Sequence, residues 1–554
     1  MAAQRAFAGK ASQRSVAELI VAQLGLWGVR QIFGVPGRSV LGLLDAVRRQ
    51  DGVRYVETRQ EEAAALMASA YAKLTGHLSV CLGSAGPGVT NLLTGVEDAQ
   101  SDCVPVLALC GRVGLDSVGR GAYQALDQHA IFETCCHFNY ELNHADNAAE
   151  TLMLACKAAI EKRGASRLGI PSNLAPQAVL ASPIGPEGHL VSEHWAAPPE
   201  RIAETVKMLA GAQRPVILAG WGARHSRDMI ARCAELFDAP VATTCRVKGL
   251  LPDDDPLALG VVGRFGSSVA TEAVRDADVL LVVGSSLSEN TTDGWTLISH
   301  NTRIAQIDLS PGRIGRNNPV TVPMVADAYL TLDEIIRQAT PVHRHHYRKH
   351  LEARKQDWLA RVDQKAESNA SPILPQRAIR ELANVCADDA IIALDVGDHA
   401  VFFCQQFAMR NQTVVTSGHL GVMGFSLPAA NAGQLAYPNR QVIALCGDGG
   451  FSAIMGEFLT AVQYKLPITV VVMSNGEYGM TRGEELHDQL TPAGFYTGLA
   501  DCDFASFARA CGGHGVRVSK PEDLHHALAQ ALRTRAPALV QIDVSPDERP
   551  LFQA

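Results

Sequence analysis

The chain reads as an α/β protein of three domains, each a mostly parallel sheet flanked by helices. Three observations predict this. Its 554 residues exceed what one hydrophobic core organises and suggest about three domains of roughly 150–200 residues. Short, nearly continuous apolar runs alternate with longer helical patterns, which is how strands covered by helices on both faces read. A Pro/Gly-rich stretch, Pro183-Ile184-Gly185-Pro186-Glu187-Gly188, reads as a linker. The blocks are accordingly 1–183, 199–340 and 370–554.

The strand-like runs are 78–82, 104–109, 215–218, 279–283, 303–307, 391–394, 442–445 and 468–473. In parallel sheets of this kind ligands sit outside the carboxyl ends of the strands, where Gly-rich loops follow. The polar, basic stretch 343–369 reads as a solvated linker. Its histidines, 343, 345, 346 and 350, lack accompanying Cys or carboxylate ligands and are assigned no metal.

Composition narrows the function. A formal net charge of −8 leaves no footprint for nucleic acid or an anionic membrane. The first fourteen residues hold no continuous apolar segment of a secretory leader, and the longest apolar runs are far too short to span a bilayer. The residues after Pro550 leave no room for a long amphipathic tail, which argues against docking to a membrane. The thirteen cysteines are scattered, odd in number and without a Cys-x-x-Cys pair, so they read as buried free thiols of a cytoplasmic protein.

The densest chemical signal follows the run 442–445. Gly447-Asp448-Gly449-Gly450-Phe451 comes at once, then a helical pattern, then a second buried run that ends at Ser474-Asn475. This is a strand, Gly-rich turn, helix and strand. Glycines let the backbone approach phosphate oxygens, and the helix start offers unpaired N–H groups and its positive dipole end. Asp448 and Asn475, at the ends of adjacent strands, would supply hard oxygen ligands of the kind Mg2+ takes.

Gly447-Asp448-Gly449, twenty-four residues, then Ser474-Asn475 resembles the signature of thiamine-diphosphate-dependent enzymes, which ends in Asn-Asn. The departure is Ser474; the position of the metal ligand, Asn475, is retained. The resemblance implies Mg2+ held by Asp448, Asn475 and the main-chain oxygen of Glu477. Tyr478, Gly479 and Met480 would continue the cofactor wall, as would Gly397, Asp398 and His399 after the run 391–394.

Two further segments agree. Thr58-Arg59-Gln60-Glu61-Glu62-Ala63-Ala64, followed by Ser84-Ala85-Gly86-Pro87-Gly88, resembles the pyrimidine-binding domain of acetolactate synthases and pyruvate oxidases, with Glu61 at the catalytic position. A carboxyl hydrogen-bonded to N1′ of the aminopyrimidine promotes the tautomer that removes the thiazolium C2 proton. Gln60 stands where relatives usually carry His. Gly421-Val422-Met423-Gly424 is similar to the loop whose apolar residue props thiamine in its bent form, and Met423 fits that wedge. The resemblance makes the three blocks pyrimidine-binding, central and diphosphate-binding domains.

The order of Gly220-Trp221-Gly222-Ala223-Arg224, Gly284 and Gln306-Ile307-Asp308 is that of the middle domain of the same enzymes, some of which hold FAD there. The implied reaction is decarboxylation of a pyruvate-like 2-oxo acid with ligation to a carbonyl acceptor. The alternative is an FAD-dependent oxidative decarboxylation. Arg112 and His137 replace the glutamine and lysine usual in synthases. Val35, Gln124, His137 and Met480 are candidate substrate contacts. The resemblance also implies a homodimer or homotetramer, with Glu61 of one chain serving cofactor anchored by Asp448 of another.

Overall fold

The computed structural model describes residues 14–191, 194–489 and 494–550. The N-terminal stretch read above for a leader lies almost wholly outside them. Three six-stranded sheets, each entirely parallel, form the cores of the three domains. The expected α/β architecture is thus present, and its strands lie within a few residues of the apolar runs.

The first sheet runs, edge to edge, Arg54–Glu57, Gln31–Gly34, Ser79–Gly83, Val106–Arg112, Ala165–Pro171 and Phe138–Glu141. The third runs Thr413–Thr416, Ile391–Leu394, Val442–Gly447, Thr469–Ser474, Ala538–Asp543 and His514–Val518. Numbered within each sheet, the two orders are identical. In both, the chain lays its first two strands in one direction and then crosses back. The crevice that this reversal opens is where ligands bind in open α/β sheets. In the third sheet it lies between Ile391–Leu394 and Val442–Gly447, directly beneath the Gly-Asp-Gly turn.

The central sheet has a different order: Ala258–Val261, Val241–Thr243, Pro215–Ala219, Val279–Val283, Arg303–Asp308 and Val322–Val325. This is the doubly wound arrangement of dinucleotide-binding folds. The small-residue helix Glu61–Thr75 packs on Ser426–Ala436 of the third domain, and residues of both share one buried core. Alanines at the contact let the two backbones approach closely.

The stretch 343–369 corrects the linker expectation. It contains a 22-residue helix, His345–Ala366, whose Leu351, Trp358, Val362 and Ala366 are buried. Their spacing of seven, four and four puts them on one helical stripe, and the first three join a core with central-domain residues. Lys355 adds hydrogen bonds from Nζ to the carbonyls of Asp253, Asp255 and Ala258 (2.8, 2.9 and 2.8 Å). Four buried apolar residues spread among many charges hid the pattern.

No helix among the described residues is long and apolar enough to cross a membrane. The cysteines are all unpaired: eight are buried, four intermediate, and Cys502 is exposed, a departure from the expectation of uniformly buried thiols.

Candidate active site

Three helices begin around one pocket at the carboxyl edge of the third sheet: Asp398–Gln406, Asp448–Ile454 and Gly479–His487. Their N-cap residues, Gly397, Gly447 and Tyr478, supply no side-chain cap. The N-cap side chains therefore leave the first turns of the three helices uncapped, with Gly449 N taken instead by Asp448 Oδ1, and the partial positive ends converge on one volume. Gly397 adopts φ 145°, a conformation L side chains avoid. Gly449 lies against the Tyr478 ring so closely that a Cβ would stand 2.6 Å from its Cε1.

Thirteen of the residues singled out in the sequence line this pocket: Gly397, Asp398, His399, Met423, Gly447, Asp448, Gly449, Gly450, Asn475, Glu477, Tyr478, Gly479 and Met480. The parallel pairing of Gly447 with Met473 sets Asp448 and Asn475 at neighbouring strand ends. The Asp448 carboxylate accepts from Gly449 N (2.9 Å), Gly476 N (2.7 Å) and Ser474 Oγ (3.2 Å). Ser474 thus contributes a hydroxyl that orients the Asp448 carboxylate. Burial pushes the Asp448 pKa up, and these hydrogen bonds oppose the rise.

Two atoms in the pocket wall have no hydrogen-bond partner among the described residues. His399 Nε2 and Asp398 Oδ1 are buried without hydrogen bonds. Burial lowers the His399 pKa to about 4 and raises that of Asp398 to about 6, against the pull of Arg549. Orphaned polar atoms in a buried wall are costly unless a ligand meets them. Arg549, which no local pattern pointed to, braces the site. Its Nη2 lies 2.5 Å from Glu477 Oε1, and its Nη1 donates to the Gly479 carbonyl (3.1 Å) and sits 3.4 Å from Asp398 Oδ2. Arg482 pairs with the other oxygen of Glu477.

Other expected residues lie elsewhere. Glu61 begins the helix Glu61–Thr75 and accepts from Asn91 Nδ2 at 3.1 Å, but it does not line this pocket in the single chain. Gly88 covers it: a Cβ there would stand 3.0 Å from Glu61 Oε1. Gln124 packs on the same loop, its side chain against Gly86, and Val35 follows the strand Gln31–Gly34 at that end of the sheet. His137 is a correction. It precedes the strand Phe138–Glu141, at the amino edge of the first sheet, where it contacts Gln100 (3.3 Å). Parallel strands put that edge opposite the one that carries Val35. Phe451 is also corrected in part: its ring is buried edge-on against Phe504 (5.1 Å), so only its backbone faces the helix start. Gly421, at φ 74°, shapes the Met423 loop outside the pocket lining.

Comparison with known proteins agrees with this geometry. Three family models match in order: the N-terminal TPP-binding domain of thiamine pyrophosphate enzymes at 14–131, their central domain at 202–335 and their C-terminal TPP-binding domain at 395–542. A putative thiamine pyrophosphate-containing protein of Bacillus subtilis is 34% identical over 545 residues, covering 98% of this chain and 93% of the relative. A probable acetolactate synthase large subunit of Methanococcus aeolicus is 31% identical, with coverages of 96% and 92%. A pyruvate oxidase of Lactiplantibacillus plantarum is 31% identical, with coverages of 96% and 89%. With three domain models matched in order and these relatives aligned nearly end to end, the chain belongs to the thiamine-pyrophosphate-dependent enzyme family.

Proposed function

We propose that this enzyme decarboxylates a small, pyruvate-like 2-oxo acid and ligates the remaining fragment to a carbonyl acceptor, as acetolactate synthases do. The observation that carries the cofactor half of this reading is the convergence of three uncapped helix starts on Asp448 and Asn475. A carboxylate, an amide oxygen and a main-chain carbonyl are the hard donors that Mg2+ takes. Asp448, Asn475 and the carbonyl of Glu477 would hold the ion; the Glu477 carboxylate is engaged by Arg482 and Arg549. The orphaned His399 Nε2 and Asp398 Oδ1 fit a polar ligand in the cradle.

Thiamine diphosphate, when bound, supplies the electron-accepting carbon at which a 2-oxo acid loses CO2. The chain's own residues do the rest. The helix starts would hold the diphosphate, and Met423 would pack against the cofactor from the pocket lip. Glu61, held by Asn91, would present its carboxyl to the pyrimidine N1′ and hold a proton there. Because Glu61 and the pocket do not meet within one chain, the active unit is a homodimer or homotetramer in which Glu61 serves the pocket of a second copy.

A second reading, oxidative decarboxylation with FAD, draws on the central sheet. Its strand order is the dinucleotide-binding one, and the loops at its reversal pack backbone to backbone, with Gly222 N donating to Gly284 O at 2.9 Å. Arg224 and Arg246 flank Trp221 beside them. Incubating purified protein with pyruvate while following CO2, acetolactate and flavin absorbance separates the two. Acetolactate with CO2 is expected; flavin bleaching with stoichiometric acetate overturns the ligase reading. Glu61→Gln is expected to lower turnover by about 10²–10⁴-fold with the cofactor still bound, and full activity in that variant removes Glu61 from the chemistry.

A further inference from the structure

The loop that carries Met423 is tied to the first domain through a buried ionic cluster. Lys73, on the helix Glu61–Thr75, has a side chain 1% exposed, and its Nζ lies 2.6 Å from Asp98 Oδ2 and 2.7 Å from Asp102 Oδ2. Both carboxylates are fully buried, and Arg246 of the central domain approaches Asp102 Oδ1 at 3.2 Å. Two anions thus face two cations. Burial works to raise the Asp102 pKa, but Lys73 and Arg246 outweigh it and hold it down.

The same groups reach across to the third domain. Ser417 Oγ donates to Asp98 Oδ1 (2.6 Å), Gly418 N to Asp102 Oδ2 (2.9 Å), and Lys73 Nζ to the Thr416 carbonyl (3.1 Å). Ser417 Oγ also accepts from Val422 N (2.9 Å). On the far side of Met423, buried Asp395 accepts from Gly424 N (2.9 Å) and from Ser426 N and Oγ (3.2 and 2.9 Å). The residues before and after Met423 are therefore each pinned to a buried acceptor, while Met423 itself is 43% exposed and lines the pocket. Burying four charges costs free energy that their attraction barely offsets, so the cluster is poor glue and a good register device.

We infer that Lys73, Asp98, Asp102 and Ser417 are positioning residues that set Met423 against the cofactor, making the pyrimidine-binding domain responsible for the shape of the diphosphate pocket in its own chain. The inference rests on the reading of Met423 as the thiamine prop. Its test is a double-mutant cycle on the full-length protein, reading the Kd of thiamine diphosphate with Mg2+ by calorimetry. Ser417→Ala leaves a buried carboxylate oxygen and the Val422 N–H unmatched, and is expected to weaken binding about tenfold. Because Ser417 acts through Met423, Ser417→Ala/Met423→Ala is expected to bind no more weakly than Met423→Ala alone. A wild-type Kd in Ser417→Ala, or additive losses in the double variant, overturns the inference and leaves the pocket reading standing. Absence of Mg2+-dependent binding by the wild type overturns both. Should the alanine variant fail to fold, Ser417→Cys, slightly larger and weaker in hydrogen bonding, is expected to shift Kd in the same direction. An unchanged Kd there is equally fatal.

Discussion

Gly88→Ala tests whether the position of the Glu61 carboxyl controls the reaction. Gly88 sits inside the short helix Pro87–Thr90, at a backbone conformation that alanine accepts. On helix propensity alone the change stabilises by about 0.5–1 kcal/mol. The new methyl, however, would stand 3.0 Å from Glu61 Oε1 and 3.4 Å from Ser84 Cβ. The carboxylate is the softer neighbour and must give by a few tenths of an ångström. It is held on its other side by Asn91 Nδ2 at 3.1 Å, so the movement becomes a rotation away from its resting direction. A displacement near 1 Å costs a catalytic group about 10²-fold. A few tenths should then cost about fivefold to tenfold in turnover at saturating cofactor. The assay is CO2 release from pyruvate, with the melting temperature measured alongside. Unchanged or raised stability with a fivefold to tenfold slower rate is the expected pair. The same substitution in a Glu61→Gln background should have no further effect. Wild-type turnover in Gly88→Ala, or an equal fractional loss in the Glu61→Gln background, refutes the reasoning.

Ser474→Ala removes one of three hydrogen bonds to Asp448 and should weaken Mg2+-dependent cofactor binding about fivefold to tenfold, read by titrating Mg2+ at fixed thiamine diphosphate. Leu351→Ala, at a buried position of the helix His345–Ala366, should cost about 2–5 kcal/mol of stability and leave cofactor affinity unchanged, by thermal melts and calorimetry. His399 titrates near 4 when folded against an ordinary 6.5, so between those pH values the unfolded chain binds the extra proton. Stability falls as pH drops from 6.5 to 4, by about 3 kcal/mol for this group. Asp398, raised to about 6 from 3.8, binds its proton first in the folded state and offsets part of the loss. His399→Gln should therefore flatten or invert the acid limb of a melting-temperature profile of the cofactor-free protein; an unchanged limb counts against a neutral buried His399. Cys502, the one cysteine classed as exposed, should react with a thiol reagent well before the eight buried ones, by peptide mapping.

Much of the diphosphate side was legible because its signals are local. Gly447-Asp448-Gly449 and Asn475 stand at the ends of two apolar runs that neighbour each other in sequence, so their meeting needed only one parallel pairing. Met423 and Asp398 were legible through the resemblance of their short segments to those of the family, again a local signal. His137 was misplaced because sequence order does not say which edge of a sheet a residue occupies. It stands one residue before its strand rather than after it. Phe451 follows the glycines in the chain, yet the turn of the helix aims its ring at Phe504. The helix His345–Ala366 was missed because its buried apolar residues recur at seven and four, among mostly charged and polar neighbours.

Taken alone, the amino-acid order determined the alternation of buried strands and helices, the backbone freedom around the phosphate cradle and the identity of the hard oxygen donors. These depend on steric limits and periodicities that act over a few residues. Tertiary structure decided the matching strand orders of the first and third sheets, the closure of Arg549 over Glu477 and Asp398, and the meeting of Lys73, Asp98 and Asp102 with Ser417. Those contacting partners lie from 25 to 319 positions apart in the sequence. Their contacts exist because packed sheets and helices bring charges into a low-dielectric interior, where each must find its complement. No local spacing encodes that requirement.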